Sequence, residues 1–287
     1  MERSEYQPNF MQAILLLMLY LFVFTLVPSL FFDSLSRVFG FKAGDLWITT
    51  AVTLIGFVLL MFWVRRRHWV NFRGLFGVRQ LKIKYLLPMV LMTAGVIIVL
   101  SEIQNFVFLV LPANGDLAKN ILGKPNPGGA EFWKFILYMG MVVPVVEEVM
   151  FRGLILRGFI KRYPAHRAIA NSTLISGFAH LNPWRFGIAH LNPWHFWTGI
   201  IWGSISGWWF YKTRSLVPCI IGNALVGLAP LLAIDLFGLE LPGLSKNYQA
   251  IEYQPLWFDM LGISLLLAGI FIFLKMAGHR RINLIAD

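Results

Sequence analysis

Val145-Val146-Glu147-Glu148-Val149-Met150-Phe151-Arg152-Gly153 closes an apolar run with two adjacent carboxylates and, four residues after the second, an arginine. The surroundings make this unusual. The chain is 57% hydrophobic and 14% charged, with a mean hydropathy of +0.66, whereas soluble domains carry about 25% charged residues. A carboxylate at the centre of a membrane helix costs roughly 2.5–3.5 kcal/mol on insertion scales. Two in succession need a compensating arrangement or a chemical task.

Working outward, apolar stretches long enough to span a bilayer recur along the chain. They fall at about 11–32, 46–64, 85–112, 132–150, 168–181, 196–211, 216–237 and 256–275, the fifth and sixth being short. The expected fold class is all-α, a polytopic membrane bundle of about eight transmembrane helices. The first stretch is long and lacks a small-residue cleavage site, so it is expected to stay as a spanning helix rather than be removed. Lys and Arg concentrate on one side of this arrangement: Arg65, Arg66, Arg67, Arg73, Arg79, Lys82 and Lys84 in one loop, and Arg152, Arg157, Lys161, Arg162 and Arg167 in another. Lys212, Arg214, Lys275, Arg280 and Arg281 fall on the same side. By the positive-inside rule both termini are cytoplasmic. The expected location is a multi-pass integral membrane protein of the plasma membrane or, in a bacterium, the inner membrane. The +11 net charge follows from this topology, and no nucleic-acid partner is expected. Cys219 lies alone in an apolar run and reads as a small buried residue. The sequence divides into a helix pair with a basic loop at 1–84, a central bundle at 85–255 with its motifs at 132–232, and a last helix with a basic tail at 256–287. Turn-rich connectors at 113–131 and 238–255 fall on the outer side.

The motifs lie in the central part. On a helix, Glu148 and Arg152 share a face and can pair, while Glu147 is turned about 100° away. Pro144 cannot donate to the carbonyl of Gly140, so the backbone is expected to bend or take up water there. This leaves one carboxylate in a structural pair and one free to meet water; the plainer reading is a charge cluster where the helix leaves the bilayer. A tandem repeat follows: Gly177-Phe178-Ala179-His180-Leu181-Asn182-Pro183-Trp184-Arg185-Phe186, then Gly187-Ile188-Ala189-His190-Leu191-Asn192-Pro193-Trp194-His195-Phe196. It offers two imidazoles, His180 and His190, for proton transfer or metal binding; His195 reads as interfacial. Gly199, Gly203 and Gly207 clear one helical face for close packing. Asn223 can donate to a developing oxyanion or bind a neighbouring helix.

Glu147-Glu148 with Arg152, then a Phe-x-x-x-His pattern, then Thr213-Arg214-Ser215-Leu216-Val217-Pro218 resembles the CPBP family, the CAAX prenyl and bacteriocin-processing (Abi-like) intramembrane proteases, over about Phe132 to Leu232. The resemblance implies an all-helical membrane peptidase in which the first Glu and the second-motif His activate water. Glu147 then takes the catalytic position, supported by Glu148 and Arg152. The third motif departs from the family: Asn223 stands at its His position and Gly227 at its Asn position. Loss of an oxyanion donor costs about 10²–10³ in rate. His180 sits at the family's spacing from Glu147, and His190 at the family's spacing from Gly203 and Gly207. His190 alone has a Phe, Phe186, four residues earlier. His180 is favoured because it ends a helix-length run, whereas Pro183 and Gly187 interrupt the path to His190.

The expected function is intramembrane hydrolysis of a peptide bond in a membrane-associated, prenylated or CAAX-like substrate. Glu147 is the base, His180 or His190 orients water, and Asn223 serves the oxyanion. No cofactor is required in this reading. No HExxH helix is present, but the Glu and His set leaves a divalent ion such as zinc open. The expected partners are a peptide or protein substrate and the bilayer. Two other classes remain: a catalytically silent relative with an immunity, scaffold or chaperone role, motivated by Asn223 and Gly227, and, ranked last, a transporter.

Overall fold

The computed structural model describes residues 8–40, 46–67, 82–110, 129–181, 193–243 and 253–277. Among these residues every regular element is helical. Eight helical rods can be followed: α1 Phe10–Phe39, α2 Leu46–Arg66, α3 Leu86–Val110, α4 at 130–162, α5 Ala165–His180, α6 Pro193–Thr213, α7 Val217–Leu236 and α8 Leu256–Ala277. A short 3-10 turn, Ile83–Tyr85, leads into α3. Each apolar stretch of the sequence falls on one rod.

Five rods are long and apolar enough to cross a membrane: α1, α2, α3 with its leading turn, α7 and α8. They mark an integral membrane protein. The other three carry the acid pair, Arg152, His180 and the spaced glycines, and each has a physical reason for falling outside that group. Rod α4 contains Glu147, Glu148 and Arg152. Rod α5 has 16 residues, about 24 Å at 1.5 Å per residue, against a hydrocarbon core of about 30 Å. Rod α6 mixes its tryptophans with glycine and serine.

Local signals set the ends. Asn9 and Gln12 form a reciprocal capping box at the start of α1, with bonds of 2.9 and 2.8 Å, satisfying amides that a helix start leaves bare. Pro164 precedes α5 and Pro218 sits in the first turn of α7, where a missing N–H costs nothing. Arg214 takes a left-handed backbone conformation (φ 56°) in the turn between α6 and α7.

Tight pairing of rods comes from glycine. Rod α8 lies along α3: a Cβ at Gly95 would meet the Gly262 carbonyl and the Leu266 amide, both at 2.6 Å. Rods α5 and α6 pack as closely, with a Cβ at Gly199 standing 2.9 Å from the Gly177 Cα. The spacing of Gly199, Gly203 and Gly207 thus works against α5, whose Thr173 and Ile169 oppose the second and third. Without a hydrophobic drive between helices in lipid, such backbone approach is what holds them together. Large apolar side chains remain on the outside, among them Leu54, Ile55 and Val58 of α2 and Ile263, Leu267 and Phe271 of α8.

Candidate active site

Rod α4 is not a uniform α-helix. A π-helical turn spans Tyr138–Val142, an α-helical stretch spans Val143–Glu148, and a second π-helical turn spans Val149–Leu156. The first lies where Pro144 withholds its bond from Gly140, so the expected disturbance takes the form of a widened turn. Such turns occur often at functional sites. In the second, Ser172 of α5 donates its hydroxyl to the Phe151 carbonyl at 3.2 Å, so a neighbouring helix meets a backbone acceptor of the π-helical turn. The whole second turn is buried.

Glu148 has no exposed surface and is surrounded by donors. Arg152 Nε lies 3.1 Å from its Oε2. That contact is an ion pair without an aligned hydrogen bond. The Trp202 indole N–H donates to Oε1 at 3.0 Å, and the Asn223 amide donates to the same oxygen at 2.9 Å. The pair expected from the four-residue spacing is therefore formed.

Glu147 is different. Asn223 Nδ2 donates to its Oε2 at 3.1 Å, and its Oε1 lies 3.8 Å from His180 Nε2. Its side chain keeps 26% of its surface and that of His180 22%. His180 closes α5, and its Nδ1 is 2.8 Å from the Ser176 carbonyl. A carbonyl only accepts, so Nδ1 carries a proton. In the neutral imidazole, Nε2 then presents a lone pair toward Glu147. Two acceptors 3.8 Å apart are spanned by one water at hydrogen-bond distances of about 2.8 Å.

Helices α4, α5 and α7 thus bring together Glu147, Glu148, Arg152, His180 and Asn223, and α6 adds Trp202. His190 lies outside the described residues. The Asn223 amide nitrogen lies between the two carboxylates and donates to both, so of the two uses open to it the structure without substrate holds the bond to a neighbouring helix. Two acceptors on one side leave the NH₂ orientation as the favourable one. Among the described residues no group of three His, Cys, Asp or Glu is placed to hold a metal ion. Of the nearby donors, Glu148 is already held by Arg152, Trp202 and Asn223.

Trp202 is the member that sequence reasoning missed. It lies between Gly199 and Gly203, in a helix read only for packing. The available signal was its indole N–H, which needs an acceptor when buried. Gly222 provides its seat, since a Cβ there would collide with the Trp202 ring, and Trp209 meets it edge-on at 5.4 Å between centroids. Phenylalanine at 202 would keep these ring contacts and remove the donor. Trp202→Phe is expected to cost about 1.5–3 kcal/mol, the range for a hydrogen bond to a charged group, read as a lower unfolding midpoint in detergent. An unchanged midpoint would show that the indole N–H contributes nothing to holding Glu148.

Residues 129–229 match a family model described as Type II CAAX prenyl endopeptidase Rce1-like. No curated protein and no solved structure matches the chain.

Proposed function

With residues 129–229 belonging to the CPBP intramembrane proteases, we propose that the protein hydrolyses a peptide bond of a membrane-associated substrate with a water activated by Glu147 and His180. The observation that carries this reading is the asymmetry of the two carboxylates. Glu148 is fully buried and held by one ion pair and two hydrogen bonds, whereas Glu147 has an oxygen facing an imidazole and keeps access to the exterior.

In the proposed reaction His180 Nε2 and Glu147 Oε1 each accept one hydrogen of the water, leaving its lone pair directed at the substrate carbonyl. Glu147 takes one proton as the oxygen–carbon bond forms. It then passes that proton to the departing amine nitrogen as the carbon–nitrogen bond breaks. Arg152, Trp202 and Asn223 act on this step through position: they fix Glu148, and Asn223 ties Glu147 to it. The substrate is a membrane-associated peptide, prenylated or CAAX-like. Both termini are proposed to face the cytoplasm, on the basic-residue bias.

The decisive measurement is mass spectrometry of membrane peptides from strains carrying wild-type protein or Glu147→Gln. A cleavage product lost from the variant strain is expected, with its uncut precursor gained. Identical peptide profiles would end the peptidase reading. The proposed step uses no metal, so dialysis of the purified enzyme against chelator is expected to leave the rate within about twofold, far below the 10²-fold or greater scale of removing a catalytic group. Chelator-sensitive activity restored by one metal would replace this mechanism.

A further inference from the structure

We infer that Gly199 is a positioning residue for the proposed hydrolysis, an inference that rests on the peptidase reading: by carrying no side chain it leaves the His180 ring its place against the Ser176 carbonyl, and so keeps Nε2 a proton acceptor. An added Cβ at Gly199 would stand 2.9 Å from His180 Nδ1, 2.9 Å from the Gly177 Cα and 3.1 Å from the Ser176 carbonyl oxygen. These atoms frame the hydrogen bond that fixes the tautomer, from Nδ1–H to the Ser176 carbonyl at 2.8 Å. Non-bonded carbons rest about 3.5–4.0 Å apart at optimal contact, so a side chain at 199 and this bond exclude each other. The other glycines of the series differ. At Gly203 the nearest atom would be the Thr173 Cγ2 at 3.3 Å, and at Gly207 the Ile169 Cγ2 at 3.4 Å. Both are methyl ends of side chains. Packing of α6 on α5 therefore leaves room for a methyl group at 207, and the strict need for glycine falls at the position that faces the imidazole.

The crowding has one outlet. The Gly177 Cα and the Ser176 carbonyl belong to the backbone of α5 and are held in its helix. The ring can move, because His180 is the last residue of α5 and its side chain is only partly buried. A ring turned away loses the Ser176 acceptor, and with it the reason for Nδ1 to hold the proton, since the partner of one imidazole nitrogen decides the state of the other. Protonated at Nε2 instead, the ring donates straight to Glu147 Oε1, closing the 3.8 Å between them to a hydrogen bond of about 2.9 Å. The two groups then satisfy each other, and the water of the proposed reaction has no pair of acceptors to bridge.

The test is magic-angle-spinning NMR of the full-length protein, labelled with ¹⁵N-histidine, in lipid bilayers at a pH where imidazole is neutral. The ring signals of His180, one of six histidines, are those lost in His180→Gln. Wild type is expected to show the Nδ1–H tautomer and Gly199→Ala the Nε2–H tautomer, while Gly207→Ala matches wild type. Turnover is read with an N-myristoylated peptide bearing the cleavage sequence lost from the Glu147→Gln strain. It should fall at least about 10²-fold in Gly199→Ala, the lower bound for losing an acid–base group, and stay at the wild-type level in Gly207→Ala. A wild-type ring protonated at Nε2, an Nδ1–H ring retained in Gly199→Ala, or a changed tautomer with undiminished turnover overturns the positioning role. So does Gly199→Ala protein that cannot be recovered folded while Gly207→Ala can, because the glycine then serves helix packing. Tautomers that behave as expected, with no peptide cut by wild type, would leave the placement of the ring by Gly199 and remove the peptidase reading; wild-type cleavage with the tautomer unmoved in Gly199→Ala would do the reverse.

Discussion

Glu147→Gln lowers the turnover of a cleavable peptide by about 10²–10⁴-fold, the range for removing a positioned general base, and leaves the folded protein in place. The reason is in the contacts. Glutamine is nearly isosteric, and turned with its oxygen toward Asn223 it can still accept that amide's hydrogen bond, now made at 3.1 Å to Oε2. What it cannot do is take a proton from water. The Glu147 side chain is partly exposed, so no buried cation loses its partner in the exchange. Turnover and unfolding midpoint should therefore separate: the first collapses, the second stays within the range of an ordinary surface substitution, about 0.5 kcal/mol. His180→Gln should move the same way, because it removes the Nε2 acceptor on the other side of the water. Glu147→Gln protein that cuts peptide at the wild-type rate would remove Glu147 from the reaction and leave the pair of carboxylates as a structural feature.

The parts of this arrangement that could be read along the chain were those set by local spacing. The four-residue interval from Glu148 to Arg152 implied an ion pair, because residues four apart on a helix share a face, and the pair is present. The fourfold glycine spacing implied close helix contact, and the partner is α5. The apolar stretches located the rods, because burial in lipid demands long uninterrupted runs. Contacts between rods left weaker traces. Nothing near Trp202 indicates that its N–H points at a carboxylate 54 residues earlier. Asn223 was recognised as a polar group on an apolar helix, but whether it faced an oxyanion or a side chain depended on the position of α7 against α4. The π-helical turns of α4 were foreshadowed only by Pro144. The second, Val149–Leu156, follows no proline or glycine signal at its start, yet it carries Arg152. Motif spacing therefore identified the acids and the cation, and helix packing assigned their different environments.

Those environments predict a second large effect, this time on folding. Arg152 is 2% exposed and Glu148 is fully buried, so neither charge has water to fall back on. Arg152→Ala leaves the carboxylate with the Trp202 and Asn223 hydrogen bonds and no countercharge, and breaking a buried pair in this way costs about 3–5 kcal/mol. The expected result is a strongly lowered unfolding midpoint and reduced accumulation in the membrane, quite unlike Glu147→Gln. The cost comes from the orphaned charge more than from any surplus strength of the pair, and this can be checked directly. In Glu148→Gln with Arg152→Met, both charges go, the side-chain volumes are roughly kept, and the glutamine oxygen still accepts from Trp202 and Asn223. Replacing both partners of a buried pair is often neutral or stabilising, so the double variant should recover most of the loss. Recovery would show that residues 148 and 152 are coupled through charge. If instead the double variant is no more stable than Arg152→Ala, the guanidinium holds α4 through its packing against α5 and α6, beside Gly203, and the ion pair is incidental to the fold.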